Sequence, residues 1–164
     1  MAQKFCTRLF PFILCIVMII TCCACSASSG SSKDSSFVSK PEKIVDEIKS
    51  KCDLPEMKAI STEQLFTYYG IKEDDVAYFS AIVAGDSFSK DEVAVFEAID
   101  EGEANAIRDS LQKHYDKVLK ECDEYLPEEY KVVKACKVVK DGIYIRLFIS
   151  AQAEKMDEIY NSYF

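Results

Sequence analysis

With 164 residues, 20 basic against 28 acidic side chains and a net charge of −8, the chain is long enough for one domain with a leader. Its acidity argues against nucleic acid and against general adhesion to anionic lipid or wall polymer. A single histidine and no tryptophan exclude a metal centre built on imidazoles and weaken a sugar-stacking platform, leaving only tyrosines to build one.

Lys4 and Arg8 precede an apolar run from Leu9 to Ile20, followed by Thr21-Cys22-Cys23-Ala24-Cys25-Ser26. Two cations, no acids and about a dozen apolar residues make an export signal; a transmembrane helix needs about twenty. A cysteine in the processing zone points to lipoprotein maturation, in which the signal is cut before a cysteine that receives a diacylglycerol. Cleavage before Cys25 puts Ala24 at the preceding position but Cys22 three residues upstream, where an aliphatic residue is usual. Cleavage before Cys23 puts Ile20 there but leaves Cys22 at the cut. Cys25 is therefore the expected lipid anchor, with Cys23 the alternative and Cys22 third. An uncleaved signal anchor over Leu9 to Ala27 would leave the orientation unchanged, because the Lys4 and Arg8 side stays inside. The C-x-x-C spacing of Cys22 and Cys25 is discounted as a redox or metal signal, since maturation would split the pair.

The expected organisation is a signal peptide over 1–24, the anchor cysteine with a Ser-rich tether over 25–40, and one extracytoplasmic domain over 41–164. After cleavage 18 basic residues face 28 acidic ones, a charge of −10. The location implied is the outer face of the bacterial cytoplasmic membrane. The partners implied are the membrane, through the lipid, and an envelope membrane protein or cell-wall component, with no nucleic acid.

Pro41, Ile44, Val45 and Ile48 predict a helix to Lys51. Ser61 with Gln64, or a cap shifted to Thr62, opens a short helix that stops at Gly70. Val76 to Ala84 and Glu92 to Ile99 read as a hairpin around Gly85–Lys90. Gly102 to Tyr125 is the strongest helix, with Ala104, Ile107, Leu111, Tyr115, Val118, Cys122 and Tyr125 on one face, and Pro127 ends it. Lys131–Lys140 and Ile143–Ser150 predict a second hairpin at Asp141-Gly142, with Ile143, Ile145, Leu147 and Ile149 on the buried face. Ala151 to Phe164 closes as an amphipathic helix with Met156, Ile159 and Tyr160 inward. The expected fold class is therefore α+β. Two ββα units would form a two-layer domain, a four-stranded antiparallel sheet with both long helices on one face, preceded by two short helices.

Tyr69-Gly70-Ile71 with Asp75-Val76, the run Asp91 to Phe96, Tyr125-Leu126-Pro127 and Gly142-Ile143-Tyr144 together resemble a family of uncharacterised lipoproteins of Gram-positive, mainly clostridial bacteria. The resemblance covers Pro41 to Phe164 and implies a domain of unknown function behind a lipobox and a Ser-rich linker. The irregular lipobox is a departure from that pattern. The family brings no activity, so no catalytic residue is carried over.

Site chemistry is sparse, and no catalytic, cofactor-binding or metal residue is assigned. His114 lies beside the core stripe of the long helix and needs no function there. Ser87-Phe88-Ser89-Lys90 matches S-x-x-K, but in a hairpin loop and without S-D-N. Asp74-Asp75 and Glu128-Glu129 lack calcium-loop spacing. Lys131, Lys134, Lys137 and Lys140 are expected to protect an edge strand, with an anion-binding strip as the alternative. Cys122 and Cys136 read as buried small hydrophobes, the latter in a strand, with no obligatory disulfide. Two functions remain: a non-catalytic envelope binding module, and a small enzyme or ligand carrier using carboxylates in a cleft lined by Tyr68, Tyr69 and Glu63.

Overall fold

The computed structural model describes residues 38–164. The expected signal peptide, Cys22, Cys23 and Cys25, and the tether through residue 37 lie outside the described residues. Five strands, β1 (Met57–Ala59), β2 (Val76–Ala84), β3 (Glu92–Ala98), β4 (Val138–Asp141) and β5 (Tyr144–Ile149), form one sheet in the order β1-β2-β3-β5-β4. Every pairing is antiparallel. The helices are α1 (Lys40–Lys51), α2 (Thr62–Tyr69), α3 (Glu101–Tyr125), α4 (Pro127–Ala135) and α5 (Ala153–Asn161).

Because side chains alternate across a strand, the sheet feeds two cores. Ala94, Phe96, Ile145, Leu147 and Ile149 pack with Leu65, Ile107, Leu111 and Val133 under α2, α3 and α4. Val93, Val95, Ile82 and Phe148 pack with Ile44 and Ile48 of α1 and Met156 and Tyr160 of α5. The α+β class and the antiparallel sheet agree with the expectation, but the two-layer, four-stranded arrangement does not. The sheet has five strands and helices on both faces, with α5 opposite α3. The physical reason is that Val93, Val95 and Phe148 would be left in water if both long helices shared one face, and a strand apolar on both sides requires cover on both.

A second correction concerns 131–140, which was expected to be a strand. Residues 127–135 form α4, with Pro127 in its first turn and Glu128 and Glu129 at its positive end. Leu126, Tyr130 and Val133 recur at helical spacing and pack on the core, and Tyr115 Oη donates to the Val133 carbonyl (3.1 Å). Of the four lysines only Lys140 lies on edge strand β4, where it pairs with Glu101 (2.6 Å). Lys131 pairs with Glu128 (3.1 Å) and Lys134 sits over the Tyr130 ring, so neither protects a sheet edge. Cys136 is the C-cap of α4 and not a strand residue. The three-residue β1 was not anticipated.

Local signals elsewhere appear as read. Gln64 Oε1 accepts from Ser61 N–H (3.0 Å), and Gly70 ends α2 at φ 72. Gly142 turns the second hairpin at φ 59, and Ile145, Leu147 and Ile149 are buried toward α3 with Ile143 packed beside them. At the start of α1, Ser39 is the buried N-cap and donates its N–H to Glu42 (2.9 Å). Cys52, Cys122 and Cys136 are buried free thiols, and burial pushes each of them up from its ordinary pKa.

Leu111 is fully buried, so Leu111→Ala should cost about 2 to 5 kcal/mol in denaturant unfolding; a loss below about half a kilocalorie would mean that α3 is peripheral. Unfolding midpoints should be equal with and without reductant, and a large drop on reduction would contradict the free thiols.

Candidate functional site

Glu92 is the one charged residue within the buried start of the central strand. Its even-numbered position puts it on the same face as Ala94 and Phe96, beneath α3, where its residue is only 3 % exposed. Both neighbouring strands hold it in register, opposite Val83 on β2 and Ile149 on β5. Burying a carboxylate is expensive unless it is paired. The partner is His114 of α3, whose Nε2 lies 2.9 Å from Glu92 Oε2. A carboxylate oxygen accepts, so the imidazole Nε2–H donates. The imidazole is 10 % exposed and packs against two aromatic rings of α2, Tyr68 at 5.1 Å and Tyr69 at 5.0 Å between centroids.

The second carboxylate oxygen, Oε1, is buried without a hydrogen bond. The buried hydroxyl of Tyr69 is near enough for the carboxylate to help burial hold its proton on, raising it well above its ordinary pKa. That hydroxyl nevertheless completes no hydrogen bond of ordinary geometry.

Above this pair opens a cleft of about 290 Å³, near the lower bound of small-molecule sites. Tyr68 and Thr67 of α2 form one wall, Lys117 and Glu121 of α3 another, and the β2–β3 loop the third. Asp86 shapes that loop by accepting from the backbone N–H groups of Phe88 (2.7 Å) and Ser89 (2.8 Å). Those amides hold its carboxyl below the usual range. Lys90 donates to Glu121 (2.8 Å), and Ser89 Oγ donates to Asp91 (2.6 Å). The S-x-x-K serines therefore belong to a loop, and Ser89 is committed to an acid.

Of the cleft expected from the sequence, Tyr68 lines the wall and Tyr69 stands buried behind it, while Glu63 is exposed and not among the lining residues. Asp74-Asp75 lie in a short 3-10 turn before β2, and Glu128-Glu129 in the first turn of α4. Among the described residues no three His, Cys, Asp or Glu side chains converge as metal ligands would, and no helix is long and apolar enough to cross a membrane. The reading of His114 as a helix-flank residue without a role missed its pairing. The available signals were an acid opening an otherwise apolar strand and a histidine three positions beyond Leu111.

A second ion cluster, built on the buried Arg146, serves the fold. Arg146 on β5 donates through Nε to Asp157 of α5 (2.8 Å) and through Nη1 to Asp141, and lies over the Tyr160 ring at 4.1 Å. Its partners account for it fully, and it joins α5 to the sheet.

An antiparallel sheet covered on both faces, with a carboxylate–imidazole pair lining a polar cleft, defines a small α+β domain. Residues 50–150 match DUF4358, a domain of unknown function, and the chain belongs to that family. It matches no curated protein and no solved structure.

Tyr68 is pushed up to about 12, first by burial and then by Glu92 and Glu121, and burial does the same to Tyr160. The folded chain thus keeps protons that the unfolded chain releases above pH 10. Since stability falls with pH wherever the folded state binds more protons, urea midpoints should decline between pH about 10 and about 12. Phenolate absorbance should include a fraction that appears only on unfolding. Midpoints that stay flat across that window would contradict the burial of these hydroxyls.

Proposed function

We propose that the chain is an extracytoplasmic lipoprotein, tethered to the outer face of the cytoplasmic membrane of a Gram-positive bacterium, whose domain is a non-catalytic module binding a small ligand in the Glu92–His114 cleft. The observation that carries the binding role is a carboxylate–imidazole pair, Glu92 with His114, among the residues that line an open cleft. The location rests on the export signal and on Cys25. A diacylglycerol there supplies two acyl chains, enough for stable anchoring where one would be marginal. A Ser-rich tether of about fifteen residues would keep the domain near membrane proteins, lipid-linked material and the inner wall.

The enzyme reading draws on the same carboxylate and tyrosine. The binding role is favoured because Glu63, one of the residues expected to line a catalytic cleft, is exposed and lies outside the lining.

Labelling cells with an alkyne fatty acid tests the anchor. The wild-type chain and Cys23→Ser should be labelled and stay in the membrane, whereas Cys25→Ser should lose the label and be released or stall as precursor. The reverse pattern moves the lipid to Cys23, and membrane retention of both variants at full precursor mass means an uncleaved helix. For the binding role, small molecules extracted from the envelope should shift the resonances of the single imidazole in the full chain. Extracts that leave it unmoved count against the cleft.

A further inference from the structure

The two edges of the sheet differ in a way that the cleft does not explain. β1 pairs with β2 only from Ala84 to Ile82, and Ile60 N–H then donates to the Ala81 carbonyl (2.9 Å) before the chain lifts into α2. Ala81 thus turns its backbone groups away from β3, and because these groups alternate along a strand, Phe79 turns its N–H and C=O the same way. Among the described residues no strand lies beside 77–80 on that side. The run Val76-Ala77-Tyr78-Phe79-Ser80 carries no charge. The opposite edge strand, β4, carries Lys140 and Asp141, the usual protection against pairing with another chain. Exposed apolar side chains flank the open stretch. Tyr78 lies on the α1 face of β2, in phase with Ile82. Tyr68 of α2 turns toward His114 of α3, so Phe66, two residues or about 200° back along the helix, occupies the flank of α2 that points away from α3 and past β2. Ile99, whose N–H donates to the Asp75 carbonyl (3.3 Å), stands exposed at the start of β2. Immediately before β2 the turn Glu73-Asp74-Asp75 gathers three acids.

We propose that β2 takes up an extended peptide of a partner protein along 77–80, antiparallel to it and in line with β1, with basic residues at the peptide's C-terminal end against Glu73–Asp75. Phe79 supplies one backbone donor and one acceptor, and successive side chains of the peptide alternate between the Tyr78 side and the Phe66 side. The occupant is basic because the acids of the turn lie where the peptide leaves the sheet. A second copy of this chain fits less well: its own β1 fills the same edge from Ala81 onward, so two-fold pairing would drive each copy's 73–75 turn into the other's β1.

The test is fluorescence anisotropy of a labelled peptide, acetyl-Thr-Val-Thr-Val-Thr-Lys-Lys-amide, titrated with the full chain in a non-ionic detergent. Binding should be saturable, and the Phe79 amide should exchange its hydrogen more slowly in the complex. N-methylation of alternate peptide amides separates strand pairing from mere adhesion. One alternate set faces β2 and should weaken binding about tenfold or more, whereas the other faces outward and should leave it unchanged. Phe66→Ser, an exposed substitution outside both cores, should weaken binding about two- to fivefold. Asp74→Lys should do the same, and a peptide with glutamates in place of its lysines should bind more weakly still. The His114 resonances should not move, which keeps this outcome separate from that of the cleft. Absence of saturable binding, equal loss from both methylated sets, or a glutamate peptide that binds as tightly as the lysine one would overturn the proposal. Protection of the Phe79 amide that rises with protein concentration and no peptide would make the occupant a second copy and overturn it too.

Discussion

Burial of β3 on both faces is the constraint on which the other elements depend. Val93 and Val95 point one way and Ala94 and Phe96 the other, and all four are sealed from water. One helical layer cannot achieve that. The chain supplies α1 and α5 for the first side and α2, α3 and α4 for the second. The same alternation decides where Glu92 goes. As the first residue of β3 and in phase with Ala94, it is carried under α3, and a charge placed there must find a partner or destabilise the fold. His114 is that partner, so the polar floor of the cleft follows from how the sheet is covered.

How much of this could be read in advance depended on whether the signal was local. The stripe on α3, the Ser61–Gln64 cap, the Gly70 stop and the Asp141-Gly142 turn are each written within a few residues, and each appears as expected except at Tyr125, the last residue assigned to the stripe, which is exposed where α3 ends. The α4 segment misled because Val132 and Val133 favour strands, while Pro127 and the two glutamates were read as the end of one helix and not as the start of the next. The side of the sheet taken by α5 is not a local property at all. Its stripe of Met156, Ile159 and Tyr160 says that one face is buried but not against which face of the sheet. The Glu92–His114 pair was hidden for the same reason. Each residue is conspicuous alone, an acid in an apolar strand and a histidine beside a core stripe, but their meeting depends on how α3 crosses the sheet.

The extent of the family match divides the molecule instructively. Residues 50–150 contain the whole sheet, α2, α3, α4 and every wall of the cleft. They omit α5 and nearly all of α1, the helices that cover the opposite face of β3. The ends of these flanking segments clasp one another: Lys40 sits over the Phe164 ring at 4.1 Å, and Tyr163 Oη donates to Glu47. Arg146, held between Asp141 and Asp157, ties this cover to β5. The family segment thus holds the site, and its flanks complete the second core.

The cleft draws its floor and its rim from different kinds of structure. The floor belongs to β3 and the buried flank of α3 and cannot change without disturbing the sheet. The rim is a hairpin loop, 85–91, together with outward positions of α3 such as Lys117 and Glu121, which contribute to neither core. Substitutions on the rim leave the architecture untouched while altering what passes over it. If the cleft binds as proposed, single replacements on the rim would alter its selectivity while the carboxylate and imidazole below stay in place.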